Sequence, residues 1–246
     1  MNNVRHLVLD IGNTRTKYGY FDNGLLQASG ICVNWSVAQW DAFYQAHPFQ
    51  TVFVGSVGVA VKSVLSKLPT AVKIQSIDET TKYPFTSAYN DLNALGIDRR
   101  AGLAGAMYCY PKKAVLIIDA GSCITYDFIS AKGHHHGGAI SPGRAMRYKA
   151  MHLFTANLPL LEPDESNPSF GTTTQESMKA GVETGIIAEI QAQIDVFAQH
   201  FGNFTIILTG GDADFLIKKI KNTIFAHTDL ILKGLYHLLM YNSLHE

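Results

Sequence analysis

Apolar runs and polar turns alternate along the chain in a way that sets out its elements before any single residue is considered. Val4 to Asp10 reads as a first strand whose apolar stretch, Leu7-Val-Leu9, runs straight into a carboxylate. Lys17 to Asp22 and Leu25 to Val33 follow, joined by Asn23-Gly24, a dipeptide suited to the left-handed φ values of a two-residue hairpin. The three segments read as a meander. Trp35 to His47 has helical spacing, Thr51 to Val57 is an apolar strand, Val59 to Leu68 a short helix and Ala71 to Ile77 a further strand. Tyr83 to Leu95 is polar and irregular, broken by Pro84 and Asn90-Asp91. Ile97 to Tyr110 reads as a helix rich in Ala, Gly and Met, ended by Pro111.

The same order then begins again. Ala114 to Asp119 is an apolar strand running into Asp119-Ala-Gly-Ser-Cys-Ile-Thr125, and 109 positions separate Asp10 from Asp119, Gly12 from Gly121, Thr16 from Thr125 and Gly24 from Gly133. Both segments share an apolar strand, a carboxylate, a glycine turn, a second strand and a glycine-closed hairpin. His135 to Ser141 is a third strand, and Pro142-Gly143 opens a helix to Asn157. A Pro- and Asp-rich loop covers Pro159 to Gly171, and a long helix covers Thr174 to His200. Phe204 to Leu208 is a buried strand ending in Thr209-Gly-Gly-Asp212, Asn222 to Ala226 a short strand, and Thr228 to Leu244 an amphipathic helix. Two similar α/β domains are expected, residues 1–113 and 114–246, with the two Asp-x-Gly turns facing one cleft.

Composition changes this picture little. At 246 residues and 47% apolar content the chain can build a substantial core. Twenty basic residues balance twenty acidic ones, which argues against nucleic acid or an anionic membrane as partner, so any anion site must be local. Cys32, Cys109 and Cys123 are far apart and form no C-x-x-C pair, as expected of a reducing, cytoplasmic setting. No uncharged apolar run reaches the ~18 residues needed to span a bilayer.

The candidate chemistry lies in the turns. After the first strand, Gly12 lets the backbone turn so that amides and hydroxyls face an anion, and Lys17 adds positive charge. Neither a G-x-x-x-x-G-K-[ST] loop nor a G-x-G-x-x-G junction is present, so the phosphate device differs from those two. A hairpin turn of ordinary kind has the same composition.

Six motifs in order resemble those of the type III pantothenate kinases, within the superfamily of acetate and sugar kinases, Hsp70 and actin. They are Asp10-Ile-Gly-Asn-Thr-Arg-Thr-Lys17, Gly96-Ile-Asp-Arg99, Asp119-Ala-Gly-Ser122, Gly137-Gly-Ala-Ile-Ser-Pro-Gly143, Gly171-Thr-Thr-Thr174 and Thr209-Gly-Gly211. The resemblance implies two ribonuclease H-like (actin-like ATPase) domains, each a mixed sheet with flanking helices. It implies transfer of the γ-phosphoryl group of ATP to the primary hydroxyl of pantothenate, the first step towards coenzyme A. Asp10 would hold Mg²⁺ directly or through water. Ile11, Gly12, Asn13, Thr14, Arg15, Thr16 and Lys17, with Ser122, would contact the nucleotide. Asp98 would be the general base. Gly96, Ile97 and Arg99 would meet the acceptor together with Tyr89 and Thr174, the Arg99 fork matching a carboxylate. Asp119 would carry a monovalent cation, K⁺ or NH₄⁺, Gly210-Gly211 would let the backbone approach adenosine, and the protein would be a homodimer.

Some positions depart from the family's habit. Ser122 stands where Thr is usual, Cys123 where Ala is, Thr173 where Asn is frequent, and Arg100 where an apolar residue is commoner, which points to altered surroundings or a subunit contact. His134-His135-His136 invites a metal reading, but strand alternation lets at most His134 and His136 share a face. Asp127 is expected to face the cleft, water or a lysine. Two other functions compete: another phosphotransferase or ATPase of the superfamily, lacking the acceptor motifs, and a non-catalytic transcription accessory factor.

Overall fold

A computed structural model describes residues 4–12, 15–56, 60–166 and 168–245. Asn13 and Thr14 of the first turn, and the Val57 and Val59 ends of two expected elements, lie outside these. In chain order the described elements are β1 (Arg5–Ile11), β2 (Thr16–Asp22), β3 (Leu25–Ile31), α1 (Val37–Ala46), β4 (Thr51–Ser56), α2 (Ala60–Leu65), β5 (Lys73–Ser76), β6 (Thr86–Ser87) and α3 (Ile97–Cys109). Then come β7 (Val115–Ala120), β8 (Cys123–Ile129), β9 (His134–Pro142), α4 (Arg144–Leu153), α5 (Thr174–Phe201), β10 (Thr205–Thr209), α6 (Ala213–Leu216), β11 (Ile224–Ala226) and α7 (Leu230–Ser243).

The repeat seen in the sequence is a repeat of topology. One sheet has the order β3-β2-β1-β4-β5, and the other runs β9-β8-β7-β10-β11, with β6 added beyond β9. In each, an antiparallel pair of strands carries the Asp-x-Gly turn and two parallel strands follow. The turns are not equal in length. Asp10 faces Lys17 across the first hairpin, whereas Asp119 faces Thr125 across the second, so the second turn is one residue shorter.

The chain forms two compact units: residues 1–112, 133–135 and 229–246, and residues 113–132 and 136–228. By chain order α7 was expected with the second half, yet it packs with the first unit. Its apolar face is spread over Leu230, Ile231, Leu235, Leu238 and Leu239, all buried. Glycines explain how close it comes. A Cβ on Gly234 would lie 1.8 Å from the Ala101 carbonyl oxygen, and one on Gly105 would lie 2.4 Å from that of Leu230. The backbones of α3 and α7 therefore touch, and any side chain at either position would force them apart. Tyr236 stacks on Phe21 of β2 with ring centroids 4.1 Å apart. This packing fixes α3, whose first turn carries Asp98 and Arg99.

Local signals set several boundaries. Asn23 (φ 49°) and Gly24 (φ 87°) both take the left-handed conformation that the β2–β3 hairpin requires. Ser36 and Gln39 form a reciprocal capping box at the start of α1. Thr173 caps α5 by accepting from the Glu176 amide at 3.2 Å. In the second unit, Ile186, Ile190 and Ile194 of α5 pack on Leu116, Ile118, Tyr126 and Phe128 of the sheet. Each such side chain contributes roughly 1.5–3 kcal/mol by leaving water. Phe128 and Ile129 are buried in succession, so both faces of β8 are covered there; Asp127 beside them is buried too, which excludes water among the three surroundings expected for it.

Candidate active site

The first unit holds Asp10, Lys17, Tyr89 and the Gly96 to Arg99 segment, all expected to act on phosphate or acceptor. Asp10 is the penultimate residue of β1, half-buried, with Lys17 opposite on β2 and Gly55 alongside on β4. The turn is closed by the Gly12 amide, which donates to the Arg15 carbonyl at 3.0 Å, while Ile11 faces the core. Burial raises the Asp10 pKa to about 6. Lys17 works against that rise, and the negative charge of Asp98 adds to it. Asp10 and Asp98 thus sense each other, though 88 positions separate them in the chain.

Asp98 occupies the first turn of α3 with its side chain exposed. Its carboxylate folds back to accept from the Arg99 amide at 2.8 Å. Gly96 makes room for this: a Cβ there would sit 2.5 Å from Asp98 Oδ1. Ile97 is half-buried between them. Arg99 is only 7% exposed, and its Nη1 donates to the Tyr89 hydroxyl at 3.2 Å. Carboxylate, guanidinium and phenol therefore form one group at the start of α3. Arg100, expected in altered surroundings or at a subunit contact, turns inward. It is 5% exposed, and its Nη1 donates to the Tyr83 hydroxyl at 2.6 Å and to Asn93 Oδ1 at 3.2 Å. Arg100 thereby ties down both ends of the Tyr83–Leu95 loop that carries Tyr89.

The second unit holds the other turn. Asp119, half-buried, is the penultimate residue of the equivalent strand β7, and Ser122 is exposed at the turn's tip. Two glycines press on this turn. Gly210 has φ 98°, and a Cβ on it would lie 2.3 Å from the Ala120 carbonyl oxygen and 2.5 Å from Asp119 Oδ1. A Cβ on Gly143 would lie 2.1 Å from the Gly121 carbonyl oxygen. The motifs Thr209-Gly-Gly211 and Gly137 to Gly143 thus converge on Asp119-Ala-Gly-Ser122. Thr174 is the exposed first residue of α5 in this unit.

Sequence reasoning did not single out an ion network beside the Gly210 turn. Arg144, almost fully buried, makes a two-pronged pair with Glu183 of α5 (Nε–Oε2 2.8 Å, Nη2–Oε1 2.9 Å) and reaches Asp212 Oδ1 at 3.3 Å. Tyr148 donates to the same Glu183 at 2.8 Å. The guanidinium also covers the Phe215 ring at 3.7 Å. An arginine at a helix start reads as a surface residue from sequence, and the partner glutamate is 39 positions away.

Among the described residues no three His, Cys, Asp or Glu side chains form a metal cage, and the histidine triplet is no exception. Asp10 fits Mg²⁺ all the same, because that ion takes one or two carboxylates and completes its shell with water and substrate phosphate. A carboxylate whose charge is disfavoured by burial is one that a cation would relieve.

A repeated sheet with two Asp-x-Gly turns, one beside a lysine and a second carboxylate, defines the actin-like ATPase and sugar-kinase class of phosphotransferase folds. Solved structures agree on the fold. An activator of 2-hydroxyisocaproyl-CoA dehydratase from Clostridium difficile with bound ADPNP superposes with TM-score 0.55 at 14% identity, covering 98% of this chain and 97% of that one. A Campylobacter jejuni protein, described provisionally as a Baf family transcriptional activator, gives 0.62 at 24%, covering 96% and 98%. A family profile for Type III pantothenate kinase matches residues 6–196. The Type III pantothenate kinase of Flavobacterium psychrophilum is 39% identical over 239 residues, 96% of this chain and 99% of its own. That of Bacteroides fragilis is 37% identical over 241 residues, 97% of this chain and 98% of its own. The chain belongs to the type III pantothenate kinase family.

Proposed function

We propose that this chain transfers the γ-phosphoryl group of ATP to the primary hydroxyl of pantothenate, the entry step of coenzyme A synthesis. The family match carries this reading, because it runs through every motif from Asp10 to Thr174. The geometry of the first unit supports it. Asp98 is exposed at a helix start and makes no ion pair among the described residues, and Arg99 beside it carries a guanidinium, a group suited to a carboxylate.

In this reading Asp98 orients the acceptor hydroxyl and takes its proton late in the transfer. Arg99 and Tyr89, with Gly96, Ile97 and Thr174, hold pantothenate. The turn from Ile11 to Lys17 grips the phosphates through amides, hydroxyls and the Lys17 charge, with Ser122 as a further nucleotide contact. Asp10 would hold Mg²⁺, which supplies charge neutralisation on the phosphates. Asp119, pressed by Gly210, would hold K⁺ or NH₄⁺ through oxygen donors.

The reading carries with it a cytoplasmic site of action and a homodimer. None of the described helices is long and apolar enough to cross a membrane. A self-association surface is supported by the exposed Met146, Leu153, Phe154 and Leu160 on α4 and the loop after it. ADP release in a coupled assay is expected to require pantothenate and to accelerate when K⁺ or NH₄⁺ replaces Na⁺. Absence of pantothenate-dependent turnover in all these buffers overturns the proposal.

A further inference from the structure

We propose that His135 and Ser87 are positioning residues for the acceptor side of the site: through Tyr89 they fix the direction of the Arg99 guanidinium. The inference rests on the reading above that Tyr89 and Arg99 hold pantothenate. It gives a role to His135 of the histidine triplet, which that reading leaves unused.

The starting observation is a fully buried polar ring within the histidine triplet. His135 has 0% exposure. It is buried because β6 adds in parallel to the start of β9, with Thr86 opposite His134 and Ser87 opposite His135. This register brings Ser87 Oγ to 2.8 Å from His135 Nδ1. Ser87 Oγ also accepts the Tyr89 amide hydrogen at 3.1 Å. A hydroxyl both donates and accepts, so the link closes with either tautomer of the imidazole.

The imidazole then takes up one face of Tyr89. The two rings lie 5.7 Å apart between centroids and 23° from parallel. At the far end of the same side chain, the Tyr89 hydroxyl accepts from Arg99 Nη1 at 3.2 Å, and the guanidinium carbon stands 5.7 Å from the ring centroid. Tyr89 is therefore restrained at its amide, its ring face and its hydroxyl. A tyrosine on a polar loop otherwise samples several rotamers, and binding an anionic acceptor would have to order both it and Arg99. His135 and Ser87 do that ordering in advance. A role of this kind affects acceptor binding and leaves nucleotide binding alone.

The substitutions separate positioning from general packing. His135→Phe keeps a ring against Tyr89 and removes the Nδ1 link, and Ser87→Ala removes the same link from the other side. Steady-state kinetics of the full chain are expected to show the pantothenate KM raised about five- to tenfold in each variant, the size of effect that one unordered side chain produces. KM for ATP and kcat should stay within about twofold. In a Tyr89→Ala background neither substitution should raise the pantothenate KM further, because the path to Arg99 is already cut.

An unchanged pantothenate KM in Ser87→Ala and His135→Phe overturns the inference, and so does an equal rise in the Tyr89→Ala background. If Tyr89→Ala alone leaves that KM unchanged, the assignment of Tyr89 to the acceptor has failed, and the inference with it. Ser87→Ala removes a single oxygen from a half-buried site, so it carries the test alone should His135→Phe fail to fold.

Discussion

Asp98→Asn is expected to lower kcat by about 10²- to 10⁴-fold, the range that removal of a positioned general base produces. Nucleotide affinity should stay within about twofold. The substitution is nearly isosteric, and its amide oxygen can still accept from the Arg99 amide, the bond that Asp98 makes at 2.8 Å. Gly96 leaves the same space for an amide as for a carboxylate, so the start of α3 keeps its shape. What disappears is the ability to take a proton from the acceptor hydroxyl. Kinetics together with titration of a fluorescent ATP analogue check both halves, and near-normal kcat would remove Asp98 from the base role.

Asp10→Asn should act in two opposite directions. Turnover is expected to fall by at least about 10²-fold, since under the proposed reading the variant loses a cation ligand and its charge at the phosphates. The unliganded protein should nevertheless gain stability at neutral pH. The Asp10 pKa is raised from 3.8 in the unfolded chain to about 6 in the folded one, chiefly by burial, with Asp98 adding to the rise. The folded state therefore binds the proton more tightly. That contribution to stability is fully present below about 4 and is lost as pH rises through about 6. At pH 7.5 the ionised, half-buried carboxylate costs on the order of 1–3 kcal/mol, which asparagine avoids. Thermal melts should place the variant several degrees above the parent at pH 7.5 and level with it near pH 4. A gain that is the same at both pH values would show that Asp10 is not strained by its charge.

Much of this molecule was readable before its structure. The Asp10 and Asp119 turns announced a repeat because an apolar strand, a carboxylate and a glycine are what such a turn needs, and both sheets have the same strand order. Asn23-Gly24 declared its hairpin for an equally local reason, two residues that tolerate positive φ. The features that escaped depend on long-range contact. The α3–α7 contact joins glycines 129 positions apart, so nothing near either marks the pair. β6 has two residues, too few for any period to show, yet it buries His135 and places Ser87. Arg100 and Arg144 are charged side chains in helical first turns. A sequence places such residues at the surface, and only the assembled structure supplies the Tyr83, Asn93 and Glu183 that receive them. Of the candidate site, residue types and order were legible; the coupling of Asp10 to Asp98 and the restraint on Tyr89 were not.

The central claim is that this chain phosphorylates pantothenate itself. Incubation of the full chain with ATP, Mg²⁺, K⁺ and pantothenate, followed by mass spectrometry and phosphorus NMR of the product, tests it most directly. The account predicts pantothenate carrying one added phosphoryl group, its phosphorus coupled to the protons of the primary alcohol carbon. ATP consumed with pantothenate recovered unchanged would contradict it.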